Sequence, residues 1–219
     1  MKVVLFDIDD TLLSFDETVK ESLREGFKKY GLPKYEPYMY DVFKRENDKL
    51  WHRIELGTLD FETLKKIRFQ YIFDALHIDF DGVTFEEYFR EFLYDSAIVI
   101  DHVDEVLQYL KEKGYVLGVA SNGPYNQQIH RLQISHLYDY FTYYFISEQI
   151  GYSKPSKEFF DSVLDTLQVK ASDCVMVGDS NTSDIQGGKN AGMKTIYFGT
   201  KTSEADHTVQ NLLQIKEIL

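Results

Sequence analysis

Cysteine is nearly missing from this sequence. Cys174 is the only one, so no internal disulfide can form. It lies in the apolar run Cys174-Val175-Met176-Val177, where a buried and inert thiol is expected. Long hydrophobic runs are missing too. None approaches the roughly 20 apolar residues that span a bilayer, so no membrane partner is expected. The opening run Val3-Val4-Leu5-Phe6 stops at Asp7, with Asp9 and Asp10 close behind. That is a buried strand rather than a secretory leader, and it points to a cytoplasmic protein. Positive charge is scarce: 24 Lys and Arg face 36 Asp and Glu, a net charge of -12. A polymeric nucleic acid needs a basic footprint and is excluded as a partner. A small phosphorylated molecule is not, because a bound cation can invert the local field. The six histidines show no paired spacing of the zinc-site kind. There is no internal repeat and no low-complexity linker.

What is present is a core-forming chain of 219 residues, 43% of them apolar. Apolar runs at 2–6, 115–120, 143–146, 174–178 and 195–198 read as buried strands. Helical periodicity lies between them, as at Val103, Val106, Leu107 and Leu110, and at Phe159, Phe160, Val163, Leu164 and Leu167. Alternating strands and helices predict an α/β fold: a Rossmann-like parallel sheet with right-handed crossovers and helices on both faces. Residues 15–96 break the rhythm, with helical patterns and no strand run. The economical organisation is a core of 1–14 and 97–219 with an all-helical cap, 15–96, inserted after the first strand. The stretch after residue 200 reads as a polar loop and a packed terminal helix.

Four motifs fall at predicted strand ends, where open α/β sheets bind ligands. Asp7-Ile8-Asp9-Asp10-Thr11 crowds carboxylates that repel one another and call for a cation. Ser121-Asn122-Gly123-Pro124 offers a hydroxyl, an amide and backbone N–H groups before a helix, with Pro124 suited to its first turn. Lys154-Pro155 keeps Lys154 extended in a loop. Gly178-Asp179-Ser180-Asn181-Thr182-Ser183-Asp184 places one acid at a strand end and another in the first turn of the next helix. Taken singly, each also has a plain reading: a solvated acidic turn, a helix cap, a surface lysine and a capped strand–helix turn.

Together, and in this order, they resemble the haloacid-dehalogenase-type phosphatase superfamily, whose pattern is Asp-x-Asp-x-Thr, then Ser or Thr, then Lys, then Gly-Asp-x-x-x-x-Asp. The likeness spans residues 2–14 and about 97–200. It implies that Asp7 is the nucleophile and passes through an aspartyl phosphate. It implies that Asp9 protonates the leaving oxygen and then activates water. Mg²⁺ would be held by Asp7, the backbone carbonyl of Asp9 and Asp179, with Asp184 in support. Thr11, Ser121, the N–H of Asn122 and Lys154 would bind phosphate. Dehalogenases of the superfamily lack a carboxylate at the Asp9 position.

A narrower likeness is to the house-cleaning pyrimidine 5′-nucleotidases. It rests on Phe6-Asp7-Ile8-Asp9-Asp10-Thr11-Leu12-Leu13-Ser14-Phe15-Asp16, Trp51-His52 with Gly57, and Ser183-Asp184-Ile185-Gln186-Gly187-Gly188. This implies a nucleoside monophosphate as substrate, preferentially a pyrimidine one. Aromatic residues of the cap could stack on a base or simply build the cap core. A sugar-phosphate or phosphoglycolate phosphatase, a phosphomutase and a non-catalytic binding protein on the same fold remain alternatives. Monomer and dimer both stay open.

Overall fold

The computed structural model describes residues 2–219. Six strands form one parallel sheet: β1 (Val3–Phe6), β2 (Val116–Ser121), β3 (Tyr143–Ile146), β4 (Cys174–Gly178), β5 (Lys194–Phe198) and β6 (His207–Val209), in spatial order β3-β2-β1-β4-β5-β6. Helices α1 (Phe15–Lys29), α2 (Pro37–Glu55), α3 (Phe61–Leu76) and α4 (Gly82–Tyr94) follow β1. Helices α5 (Val103–Glu112), α6 (Tyr125–Ile134), α7 (Ser147–Ile150), α8 (Lys157–Leu167) and α9 (Gly187–Asn190) are interleaved with the later strands.

The pleat sorts the strand side chains to two faces. Val4, Phe6, Leu117, Val119, Val175 and Val177 pack with Val106, Leu107 and Leu110 of α5 and Leu132 of α6. Val3, Leu5, Cys174 and Met176 pack with Phe159, Phe160, Val163 and Leu167 of α8. Both faces are covered, which is why the strands read as continuous apolar runs. Burial pushes the Cys174 thiol up to about 11, so it is protonated at neutral pH.

The expected five strands are present, and a sixth joins them. β6 has only the polar-exposed His207 and Thr208 before buried Val209, too little for an apolar run. The terminal helix is a six-residue 3₁₀ turn, Leu212–Glu217, capped by Asn211. Pro124 sits at the cap position of α6, one residue before the first turn.

The chain divides into two compact units, one of residues 1–15 and 97–219, the other of residues 16–96. In the first unit the outgoing and returning segments pair where Ser14 N donates to Ile98 O (2.7 Å) and Ile100 N to Leu12 O (3.0 Å). The helical unit is built on rings. Phe27, Phe43, Phe69, Phe73, Phe85 and Phe89 are buried, with Phe69 and Phe85 centroids 4.7 Å apart. Asp60 and Asp81 cap α3 and α4 through Thr63 N and Thr84 N.

One ionic group lies inside this aromatic core. Arg68 forks onto Glu86 (2.9 and 2.6 Å) and donates to Asn47 Oδ1 (3.2 Å), with its guanidinium 4.7 Å from the Phe89 ring centre. All three residues are buried. Glu86→Ala leaves the arginine uncompensated. The expected cost is roughly 3–5 kcal/mol of unfolding free energy, read from denaturant titration followed by circular dichroism; a loss well under 1 kcal/mol would show the pair to be dispensable.

Candidate active site

The site begins with strand order. β1 lies between β2 and β4, at the point where the chain reverses its direction of travel across the sheet, and it is beyond the carboxyl ends of such strands that open α/β sheets bind ligands. Asp7, Ser121 and Asp179 stand at those ends. Asp7 N donates to Val177 O (2.9 Å), extending the ladder one residue past β1. The chain then winds around one carbonyl: Leu12 N and Leu13 N both reach Ile8 O at 2.9 Å. Asp10 takes a left-handed conformation (φ 58°), which Asp tolerates better than most residues. Thr11 is fully buried, and its Oγ1 has no hydrogen-bond partner among the described residues. Such a group is expected to meet a ligand or water.

Lys154 is the centre of the charge arrangement. Its Nζ donates to Asp7 Oδ1, Asp184 Oδ1 and the carbonyl of Ala120, each at 2.6 Å. An ammonium has three donors, and all are committed. Burial alone would discharge it, but the Asp184 and Asp7 charges outweigh burial and hold its pKa above the ordinary value. Asn122 fixes the loop that carries it: Nδ2 donates to Lys154 O (2.9 Å) and Oδ1 accepts from Lys154 N (2.8 Å). Ser121 Oγ accepts from Gly123 N (3.1 Å) and Gln128 Nε2 (2.9 Å), which uses its lone pairs and leaves its O–H to be donated.

Asp184 is fully buried in a widened helical turn, Asn181–Gln186, of a kind often found at functional sites. Its Oδ2 accepts from Ser180 N at 3.0 Å. A Cβ on Gly178 would stand 2.2 Å from that oxygen, so only glycine lets the acid approach β4. One carboxylate oxygen from each of Asp7, Asp179 and Asp184 falls within 4.8 Å of the others. Burial, reinforced by Asp184 and Asp9 and partly offset by Lys154, pushes Asp7 up to about 7. Burial and the charges of Asp7, Asp184 and Asp10 raise Asp179 well above the usual carboxylate range. Three hard oxygen donors, with Asp7 and Asp179 resisting ionisation and one lysine among them, fit a small divalent cation.

The carboxylate of Asp9 turns elsewhere. Its Oδ1 accepts from Arg131 Nη1 (2.5 Å) and its Oδ2 from Gln128 Nε2 (2.6 Å). Reasoning from motifs missed both partners. The available signal was α6 itself, where apolar residues are too few to fill its buried face and Gln128 and Arg131 stand three apart.

A family model described as haloacid dehalogenase-like hydrolase matches residues 1–192. This chain belongs to the haloacid dehalogenase-like hydrolases. The HAD-hydrolase YfnB of Bacillus subtilis is 32% identical over 90% of this chain and 83% of its own. The solved YfnB structure bound to magnesium superposes with a TM-score of 0.93 at 30% identity, covering 100% of this chain and 98% of that one. Pyrimidine 5′-nucleotidase PynA of Streptococcus pneumoniae is 33% identical over 94% of this chain and 87% of its own. Glyceraldehyde 3-phosphate phosphatase of Pyrococcus furiosus is 29% identical over 100% of this chain and 93% of its own. Among the described residues of this hydrolase, no helix is long and apolar enough to cross a membrane.

The raised pKa of Asp7 sets a pH dependence. Protonation stabilises the metal-free fold; that contribution is full below about pH 4 and is lost as pH climbs through about 7. A cation must displace this proton. The rise in Tm produced by a fixed Mg²⁺ concentration is therefore expected to be several degrees larger at about pH 8 than at about pH 6. Differential scanning calorimetry checks it, and an equal rise at both values would count against Asp7 as a ligand.

Proposed function

We propose that this hydrolase is a Mg²⁺-dependent phosphomonoesterase that works through an aspartyl phosphate on Asp7 and acts on nucleoside monophosphates, pyrimidine ones preferentially. The observation that carries the reading is the surroundings of Asp7: Lys154 at 2.6 Å, and Asp179 and Asp184 completing an oxygen cluster.

Asp7, Asp179 and the backbone carbonyl of Asp9 would hold the cation, with Asp184 in support. Bound there, it would supply charge neutralisation for the carboxylates and the phosphoryl oxygens. Lys154 lowers the cost of ionising Asp7 and orients it for attack on phosphorus. Ser121 has its O–H available for a phosphoryl oxygen, and the N–H of Asn122 and the hydroxyl of Thr11 serve the same group. Asp9 delivers a proton to the departing ribose oxygen, then takes one from the water that cleaves the acyl phosphate. Positioning and charge stabilisation are what phosphoryl transfer chiefly requires. A carboxylate at position 9 favours this chemistry over dehalogenation, which has no leaving oxygen to protonate.

The pyrimidine preference is supported by the likeness to PynA across nearly the whole chain. A second reading, a sugar- or triose-phosphate phosphatase, is favoured by the full-length likeness to glyceraldehyde 3-phosphate phosphatase. Phosphate release with Mg²⁺ from uridine, deoxyuridine, thymidine, adenosine and guanosine monophosphates, phosphoglycolate, glyceraldehyde 3-phosphate and hexose phosphates separates them. A pyrimidine preference abolished by EDTA supports the first reading. Dominant turnover of a triose or hexose phosphate transfers it to the second. Asp7→Asn is expected to lower kcat on the best substrate to under about 1% of wild type with the fold intact; higher residual activity would remove Asp7 as nucleophile.

A further inference from the structure

The proposed chemistry uses the Asp9 carboxyl twice at one place, first as acid and then as base. A side chain left to solvent would not stay there. Asp9 is 31% exposed, yet both its oxygens are held by side chains of α6 that have no exposure at all. Arg131 Nη1 takes Oδ1 and Gln128 Nε2 takes Oδ2.

The two holders also fix each other. Gln128 Oε1 accepts from Arg131 Nη1 at 3.0 Å, which orients the amide so that Nε2 faces Asp9. The same Nε2 donates to Ser121 Oγ at 2.9 Å. One amide therefore joins the hydroxyl at the end of β2 to the carboxylate beyond β1. Gly123 leaves room for it: a Cβ there would lie 2.4 Å from Gln128 Nε2. Burying a guanidinium with an amide is costly unless the group is paired. Apolar side chains would fill this face of α6 more cheaply if packing were its only task.

We infer that Arg131 and Gln128 are positioning residues that set the Asp9 carboxyl at a fixed place relative to the phosphoryl group held by Ser121. Arg131 acts on protonation of the leaving oxygen and not on attack at phosphorus; Gln128, which also holds Ser121 Oγ, acts on that protonation through Asp9. The inference rests on the reading of Asp9 as general acid and base.

The test compares kcat/KM for two phosphomonoesters on one enzyme sample, so that the folded fraction cancels. From uridine monophosphate the nucleoside leaves as an alkoxide at its 5′ oxygen and needs a proton. From p-nitrophenyl phosphate the nitrophenolate leaves as a stable anion and needs little help. In Arg131→Met the ratio of the first to the second is expected to fall at least about 30-fold, since a positioned acid contributes about 10²–10⁴-fold. Arg131→Lys, which keeps a donor and the charge, should recover part of that fall. Gln128→Met should shift the ratio in the same direction and carries the test if Arg131→Met does not fold. Asp9→Asn supplies the reference, with a fall of about 100-fold or more. If Asp9→Asn shifts the ratio while Arg131→Met and Gln128→Met lose both substrates equally or neither, the positioning role is overturned and α6 is only structural. If Asp9→Asn leaves the ratio unchanged, the acid–base reading itself falls, and the inference with it.

Discussion

Three buried or half-buried carboxylates converge where β1 and β4 end, and the ammonium of Lys154 makes this tolerable. Without it Asp7 and Asp184 would face each other in a region that excludes water, and one would have to take up a proton. Each of the three Lys154 donors is spent at 2.6 Å, two of them on those acids. The loop carrying the lysine is held through Asn122 at the end of β2. The charge arrangement therefore reaches across β2, β1 and β4, and the parallel sheet supplies the rigid spacing. A single lysine does not balance the set. The raised pKa values of Asp7 and Asp179 express the remaining negative charge, and they describe a place suited to a small hard cation.

Much of this was legible in the residue order because parallel strands buried on both faces advertise themselves as apolar runs. Val3–Phe6, Cys174–Gly178 and Lys194–Phe198 could hardly be read otherwise. The carboxylates follow those runs directly, so the strand ends located the acids. β6 escaped because it contributes one buried side chain, Val209, and two exposed polar ones. The widened turn at Asn181–Gln186 escaped because nothing in Asn-Thr-Ser-Asp-Ile-Gln distinguishes it from an ordinary first helical turn; Asp184 and Gly178 are found to need one another only when their distance is known.

Gln128 and Arg131 were illegible for a different reason. A helix with Gln127, Gln128, His130, Arg131 and Gln133 reads as mostly solvated, and polar residues are assigned to water by default. The default fails when the buried face of a helix meets a charge instead of a hydrophobic surface. The aromatic residues of the inserted helices left two readings open, stacking on a base or packing in their own core. Many candidates for stacking on a base were available, but Phe27, Phe43, Phe69, Phe73, Phe85 and Phe89 are consumed by their own core. Residue type alone does not separate a ring that binds from a ring that packs.

Asp7 and Asp9 are two residues apart, yet their partners do not overlap. Asp7 looks to Lys154 and the acid cluster; Asp9 looks to Arg131 and Gln128. A nucleophile must stay ionised and aligned with phosphorus, whereas an acid–base group must give up and recover a proton without moving. These demands conflict within one environment, and catalytic carboxylate pairs commonly meet them by having two. The turn around Ile8 O, with its left-handed Asp10, begins within this short stretch. Each acid reaches its own set of partners, and the division of labour proposed for them rests on that separation.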